Sequence, residues 1–261
     1  MRATLVVLLL LASATVPVSA PAGETPVREA LYLRTPEAEA DAGTRHRRSS
    51  MFSAAIFAAA AIRVGPAVLR GVHAATLSDP RLPARALRFH RTWKVEKDVR
   101  QRLLDSLLRT TSDPEDREQI EASVADGAIW REFDRTLGFV GYSSSNLADA
   151  TTAYYVIAWQ VVSGEQAIDH LAGIRVVRDS VALALLRDPE VAAMSDADKQ
   201  EAAVVMAYKA IAAAHRAGEL RSANDRSGLE RLRRAIRDSV ARGQGVDLAA
   251  LRLTDQGFVA N

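Results

Sequence analysis

Asn146-Leu-Ala-Asp149-Ala-Thr-Thr-Ala-Tyr-Tyr155-Val-Ile-Ala-Trp159-Gln160-Val-Val162 decides the fold. Leu147, Ala150, Ala153, Tyr154, Val156, Ile157, Trp159 and Val161 leave no wide polar face at helical spacing, and a helix that is apolar nearly all round has to be enclosed by others. Its few polar groups fall together, because Asn146, Asp149 and Thr152 recur three apart, and Thr152, Tyr155 and Trp159 three and four apart. Two readings of them stay open. In one, Asn146 caps the helix, Asp149 completes an Asn-x-x-Asp box and offsets the dipole, and Tyr155 and Gln160 satisfy a neighbouring helix end. In the other, Tyr155 and Trp159 wall a cleft in which Asp149 and Gln160 make polar contacts to a small ligand or glycan.

Outward from this segment the chain reads as further helices. Ser163 and Gln166 match a capping box for a helix over 165–187, whose stripe Ile168, Leu171, Ile174, Val177, Val181 and Leu185 faces inward until Asp188-Pro189 stops it. Ser195 and Asp198 start another, to about Arg216 with Gly218 as its stop, and a last one spans about 225–241, closed by Gly243 and Gly245. On the N-terminal side, residues 96–110 carry Val99, Leu103, Leu104, Leu107 and Leu108 on one stripe. Asp113-Pro114 opens a helix to Ala125, and residues 128–137 make a short one before Gly138 and Gly141. Trp93 and Trp130 read as core or core-edge residues. No stretch alternates as a strand, and no repeat of twenty to fifty residues is present. The expectation is an all-α fold: a single bundle of about six or seven helices over 93–241 around the buried central helix, with 242–261 as a C-terminal tail that folds back or frays.

The N-terminal part reads differently. Arg2, an apolar run from Leu5 to Leu11 and the small-residue exit Val18-Ser19-Ala20 describe a signal peptide over 1–20, too short in its apolar core for the roughly twenty residues that span a bilayer. Residues 21–50, rich in Pro, Ala, Glu, Thr and Arg without periodicity, read as a disordered linker. Residues 51–92 supply an apolar helix, 51–62, behind Arg45, Arg47 and Arg48, and then a loop with Pro80 and Pro83. That helix is either buried on the bundle or laid in a membrane interface. The expected address is periplasmic or secreted.

The chain has no cysteine, which excludes disulfides and thiolate metal sites, and only four of its 34 basic residues are lysine, a usage associated with GC-rich bacterial genomes. A net charge of +2 gives no long-range field for nucleic acid. The distribution is uneven, however: residues 41–110 hold 14 basic and 5 acidic side chains, and Arg81, Arg85, Arg88 and Arg91, with Phe89 and His90 among them, form the densest patch. It is a solvated face or a weak contact for an anionic surface.

Catalytic signatures are missing. The nearest string to a nucleophile elbow, Gly141-Tyr-Ser143-Ser-Ser145, lacks the closing glycine and a preceding strand. No His-Glu-x-x-His is present, none of the five histidines has a Glu three residues before it, and no glycine-rich phosphate loop carries its lysine. Asp169 and His170 are neighbours on a helix and point about 100° apart, while His215 is placed to meet a helix C-terminal dipole. No metal site or cofactor is expected.

The segment from Asn146 to Gln160, with its approach from Gly138 to Ser145, resembles a set of uncharacterised exported bacterial proteins grouped as a domain of unknown function, most clearly over residues 133–168. The resemblance implies a helical exported domain and carries over no functional residue. The function expected from all this is a non-enzymatic binding or accessory protein of the cell envelope. The alternative is an envelope enzyme or small-ligand protein with a cleft beside Asp149, Tyr155, Trp159 and Gln160.

Overall fold

Two helices rich in small and apolar side chains lie against each other through the middle of the molecule, and the remaining helices pack around this pair. The computed structural model describes residues 84–109, 114–125 and 127–261. In chain order these give α1 (Trp93–Leu108), α2 (Pro114–Ala125), α3 (Ala128–Phe139), α4 (Leu147–Ser163), α5 (Leu171–Arg187), a short α6 (Pro189–Ala193), α7 (Asp196–Ser222) and α8 (Arg226–Gln244). A hairpin of β1 (Leu251–Thr254) and β2 (Gly257–Ala260) follows, and single 3-10 turns form at Ala84–Leu87, Ala167–His170 and Leu248–Ala250. The fold is mostly helical, as the apolar periodicity requires.

α4 is the enclosed rod. Leu147, Tyr155 and Trp159 are fully buried, and the helix packs chiefly against α7 and α5. α7 presents buried Ala203, Ala207, Ala210, Ala213 and Ala217, so its backbone comes close enough to α4 for the large side chains of α4 to fill the space between. Each fully buried Leu, Val, Ile or Phe contributes about 1.5–3 kcal/mol, and Phe133, Leu137, Ile236 and Leu248 from α3, α8 and the last 3-10 turn extend the same core.

Local signals explain the helix ends. Asn146 accepts from Ala148 N, Ser195 and Asp198 form a reciprocal capping box, and Asp225 accepts from Gly228 N. Gly164 at φ 82° and Gly245 at φ 65° end α4 and α8 in the left-handed conformation. Gly164 also overturns the box expected from Ser163 and Gln166: Ser163 Oγ instead accepts from Glu165 N, a 3-10 turn intervenes, and α5 starts only at Leu171. α7 runs through Gly218 to Ser222, because buried Ala217 and Leu220 hold that turn on the core against a glycine cost of about 1 kcal/mol. His215 is therefore mid-helix rather than at a C-terminus, and its Nε2 lies 2.8 Å from Glu132 of α3. Trp130 is buried, but Trp93 is 64 % exposed at the start of α1, with the Arg100 guanidinium 4.9 Å from its ring centre.

The C-terminal residues neither fray nor lie loose. α8 continues to Gln244, and the hairpin pairs Leu251 with Ala260 and Leu253 with Phe258, burying Leu251, Leu253 and Phe258. It seats on α5 at Gly173, where a Cβ would come within 1.7 Å of Thr254 O. Among the described residues no helix is long and apolar enough to cross a membrane. The signal peptide expected at 1–20, the linker 21–50, the helix 51–62 and Arg81 lie outside the described residues.

Candidate functional site

The site begins with a strap of chain, residues 84–92, fastened by its main chain. Lys199 Nζ donates to Ala86 O at 2.8 Å, Gln200 both accepts from Thr92 N and donates to Thr92 O, and Asp196 accepts from His90 N. On its other side Phe89 N donates to Ser145 O, and Arg88 bridges to Asn146 in antiparallel fashion. Phe89 turns into the core while Arg85, Arg88 and His90 stay exposed.

Opposite the strap, the turn after α3 is built by Gly141 at φ 76° and by Tyr142 N and Asn146 N, which donate to Leu137 O and Ser143 O. This turn delivers the chain into α4 and sets Ser143 N 3.0 Å from Asp149 Oδ2. Asp149 Oδ1 accepts from Arg178 Nε of α5 at 2.8 Å, and Arg178 Nη1 reaches Asp179 at 3.3 Å. Asp149 is 6 % exposed, so its charge is held by a guanidinium and a backbone amide rather than by water. Burial alone would lower the Arg178 pKa, but the hydrogen bond and charge of Asp149, then those of Asp179, outweigh it and raise the pKa.

Strap, turn and the outer face of α5 enclose a half-open pocket of about 1020 Å³. Arg85, Arg88, Arg175 and Arg178 line it together with Asp149, Asp179 and Asp196. Among the described residues the buried Tyr142 hydroxyl has no hydrogen-bond partner, and burial pushes its pKa up to about 12, the charges of Arg178 and Arg175 opposing and those of Asp149 and Asp179 adding to the rise. It is thus a neutral donor at any ordinary pH.

Of the four residues expected around a cleft, the structure brings only Asp149 to this pocket. Tyr155 and Trp159 are wholly buried in the core; Trp159 packs edge-on against Phe258 at 5.7 Å and donates from Nε1 to Leu251 O at 2.9 Å. Gln160 is half-buried on the last turn of α4, away from the pocket lining. The aromatic wall is a core feature. Nor does Asp149 close a box with Asn146, since its oxygens reach Ser143 and Arg178. Thr151 and Thr152 are satisfied by Leu147 O and Ala148 O. The arginine patch divides: Arg85 and Arg88 enter the pocket, whereas Arg91 bonds Asp134 and Ser144 and lies 4.8 Å over the Trp130 ring.

Arg175, Arg178 and Tyr142 escaped sequence reasoning. Their signal was available in part, because Arg175 and Arg178 are three apart beside the inward stripe Ile174, Val177 and Val181.

A family model matches residues 2–261, that of a family of unknown function, DUF6683, and the chain belongs to this family. Comparison with curated proteins and with solved structures returned no match.

Proposed function

We propose that this chain is an exported, non-enzymatic binding protein of the cell envelope, and that its ligand site is the pocket over Asp149. One observation carries the reading. Both oxygens of the Asp149 carboxylate are engaged, one by Ser143 N and one by Arg178 Nε, so the pocket's most buried acidic group holds the wall in place rather than standing ready to move a proton. What remains open to a visitor is a preformed concavity with arginines and a histidine at its surface, which is the composition of a recognition site. The export half of the proposal is supported by the charged start, short apolar run and small-residue exit at 1–20.

Expression of the full chain in a bacterial host, with N-terminal sequencing of the exported product, is expected to show a start near Pro21. Thermal-shift screening of envelope-derived sugars, amino acids and phosphorylated compounds is expected to find a ligand that raises the melting temperature and is recovered unchanged. A ligand that is consumed, with turnover lost in Asp149→Asn while the helical circular dichroism is kept, would replace this reading with that of an envelope enzyme.

A further inference from the structure

We infer that the pocket takes a phosphate group carried on a small organic molecule, held by the guanidinium groups of Arg85, Arg88 and Arg175 with the Tyr142 hydroxyl as an additional donor. The inference rests on the binding reading above and specifies its ligand.

The pocket's charges are unequally matched. Each of its carboxylates is bonded: Asp149 to Arg178 and Ser143 N, Asp179 to Arg178, and Asp196 to His90 N. Arg178 is therefore neutralised in place. Arg85, Arg88 and Arg175 line the same concavity, and their side chains form no hydrogen bond or ion pair among the described residues. They come from two separate stretches of chain. Arg88 N donates to Arg85 O at 3.1 Å, which fixes the arc from which those two side chains leave, and Arg175 stands one helical turn before the anchored Arg178.

Independently of the arginines, the hydroxyl of Tyr142, a residue of the pocket lining, is a buried donor with no acceptor among the described residues. An acceptor placed in the pocket would satisfy it. Three cationic forks and a hydroxyl ask for at least three acceptor oxygens, and four arginines against three carboxylates leave the lining net positive, so that the group supplying those oxygens is an anion. A carboxylate, with two oxygens and one charge, is matched by a single fork. A phosphate monoester brings three terminal oxygens and a charge of about −1.5 to −2 at neutral pH. At about 1020 Å³ the pocket also leaves room beside the phosphate for the organic part.

The test is titration calorimetry of the full chain at fixed ionic strength with glycerol 3-phosphate, inorganic phosphate, succinate and glycerol. Glycerol 3-phosphate is expected to bind most tightly. The exposed pair Arg88→Ala with Arg175→Ala should weaken it by at least roughly tenfold, and Tyr142→Phe by roughly three- to tenfold, given about 1.5–3 and 0.5–1.5 kcal/mol for charged and neutral hydrogen bonds. Arg234→Ala, on the exposed side of α8, is expected to leave the affinity unchanged. Circular dichroism of each variant checks that the fold is retained.

Inorganic phosphate or succinate binding as tightly as the ester would overturn the inference. So would affinity that survives the arginine pair, or no binding of either phosphate. A neutral compound that binds where both phosphates fail would overturn it and leave the binding reading standing, whereas a screen in which no class of compound binds removes both.

Discussion

At its C-terminal end α4 carries Trp159 into an enclosure shut by Phe258 and by the carbonyl of Leu251; at its N-terminal end it carries Asn146 and Asp149 to the edge of a pocket. Both ends of the helix are largely apolar and buried. The difference lies in what covers it, a hairpin packed directly on α5 at one end and a strap held off by a polar turn at the other. Burial at the first end supplies stability, and the hydrogen-bonded groups at the second shape a surface.

The contrast breaks most easily at the dry end. Trp159→Ala should cost about 3–5 kcal/mol by leaving a cavity, with Leu251 O unpaired besides; urea unfolding measures it, and a loss below about 1 kcal/mol would show that the hairpin does not rely on this side chain. Gly173→Ala should cost about 2–3 kcal/mol, because the new methyl meets the Thr254 backbone, which has to move. Hydrogen exchange should locate that damage in residues 251–260, with the pocket turn unaffected.

At the wet end the effects are smaller. Asp149→Asn keeps an acceptor for Ser143 N but removes the partner charge of the part-buried Arg178, an expected loss of about 1–3 kcal/mol. A double-mutant cycle with Arg178→Ala should recover a coupling of the same sign.

The smallest effect separates the ends by pH. Near the hairpin, the Arg237 hydrogen bond, followed by the amide of Ala249 and against the pull of burial, holds the Asp247 carboxyl below its ordinary value. A carboxyl whose pKa is lower folded than unfolded stabilises above the unfolded value of about 3.9, and that contribution is lost as pH falls through the folded value. Arg237→Gln should therefore lower the urea midpoint slightly at neutral pH, with the difference from wild type vanishing in strong acid. Tyr142 is the opposite case: its pKa is raised, so its contribution is complete below about 10 and lost as pH climbs toward about 12. Comparison with Tyr142→Phe over that alkaline range isolates it.

Much of the scaffold was legible because its signals are local. The apolar circumference of residues 147–162, the Ser195 and Asp198 box and the Asn146 cap each sit within a few residues of the structure they cause. The hairpin was not, since Leu251-Arg-Leu253-Thr offers only four residues of alternation, too few to stand out. The Ser163 and Gln166 spacing points to a helix starting directly after α4, whereas Gly164 in its left-handed conformation ends one helix and delays the next. At the site, Asp149 was visible as an acid on an oily helix, but its partner Arg178 is 29 residues away and the strap lies farther still. Spacing alone could not tell whether Tyr155 and Trp159 face a ligand or the interior, because both uses demand the same positions.

The strap has one further consequence. Lys199, Gln200 and Asp196 grip it at Ala86, Thr92 and His90 through main-chain atoms, which every amino acid except proline supplies alike. Arg85, Arg88 and His90 are consequently replaceable one letter at a time without rerouting the backbone. A lineage built on this scaffold is free to retune what the pocket prefers while inheriting its shape intact.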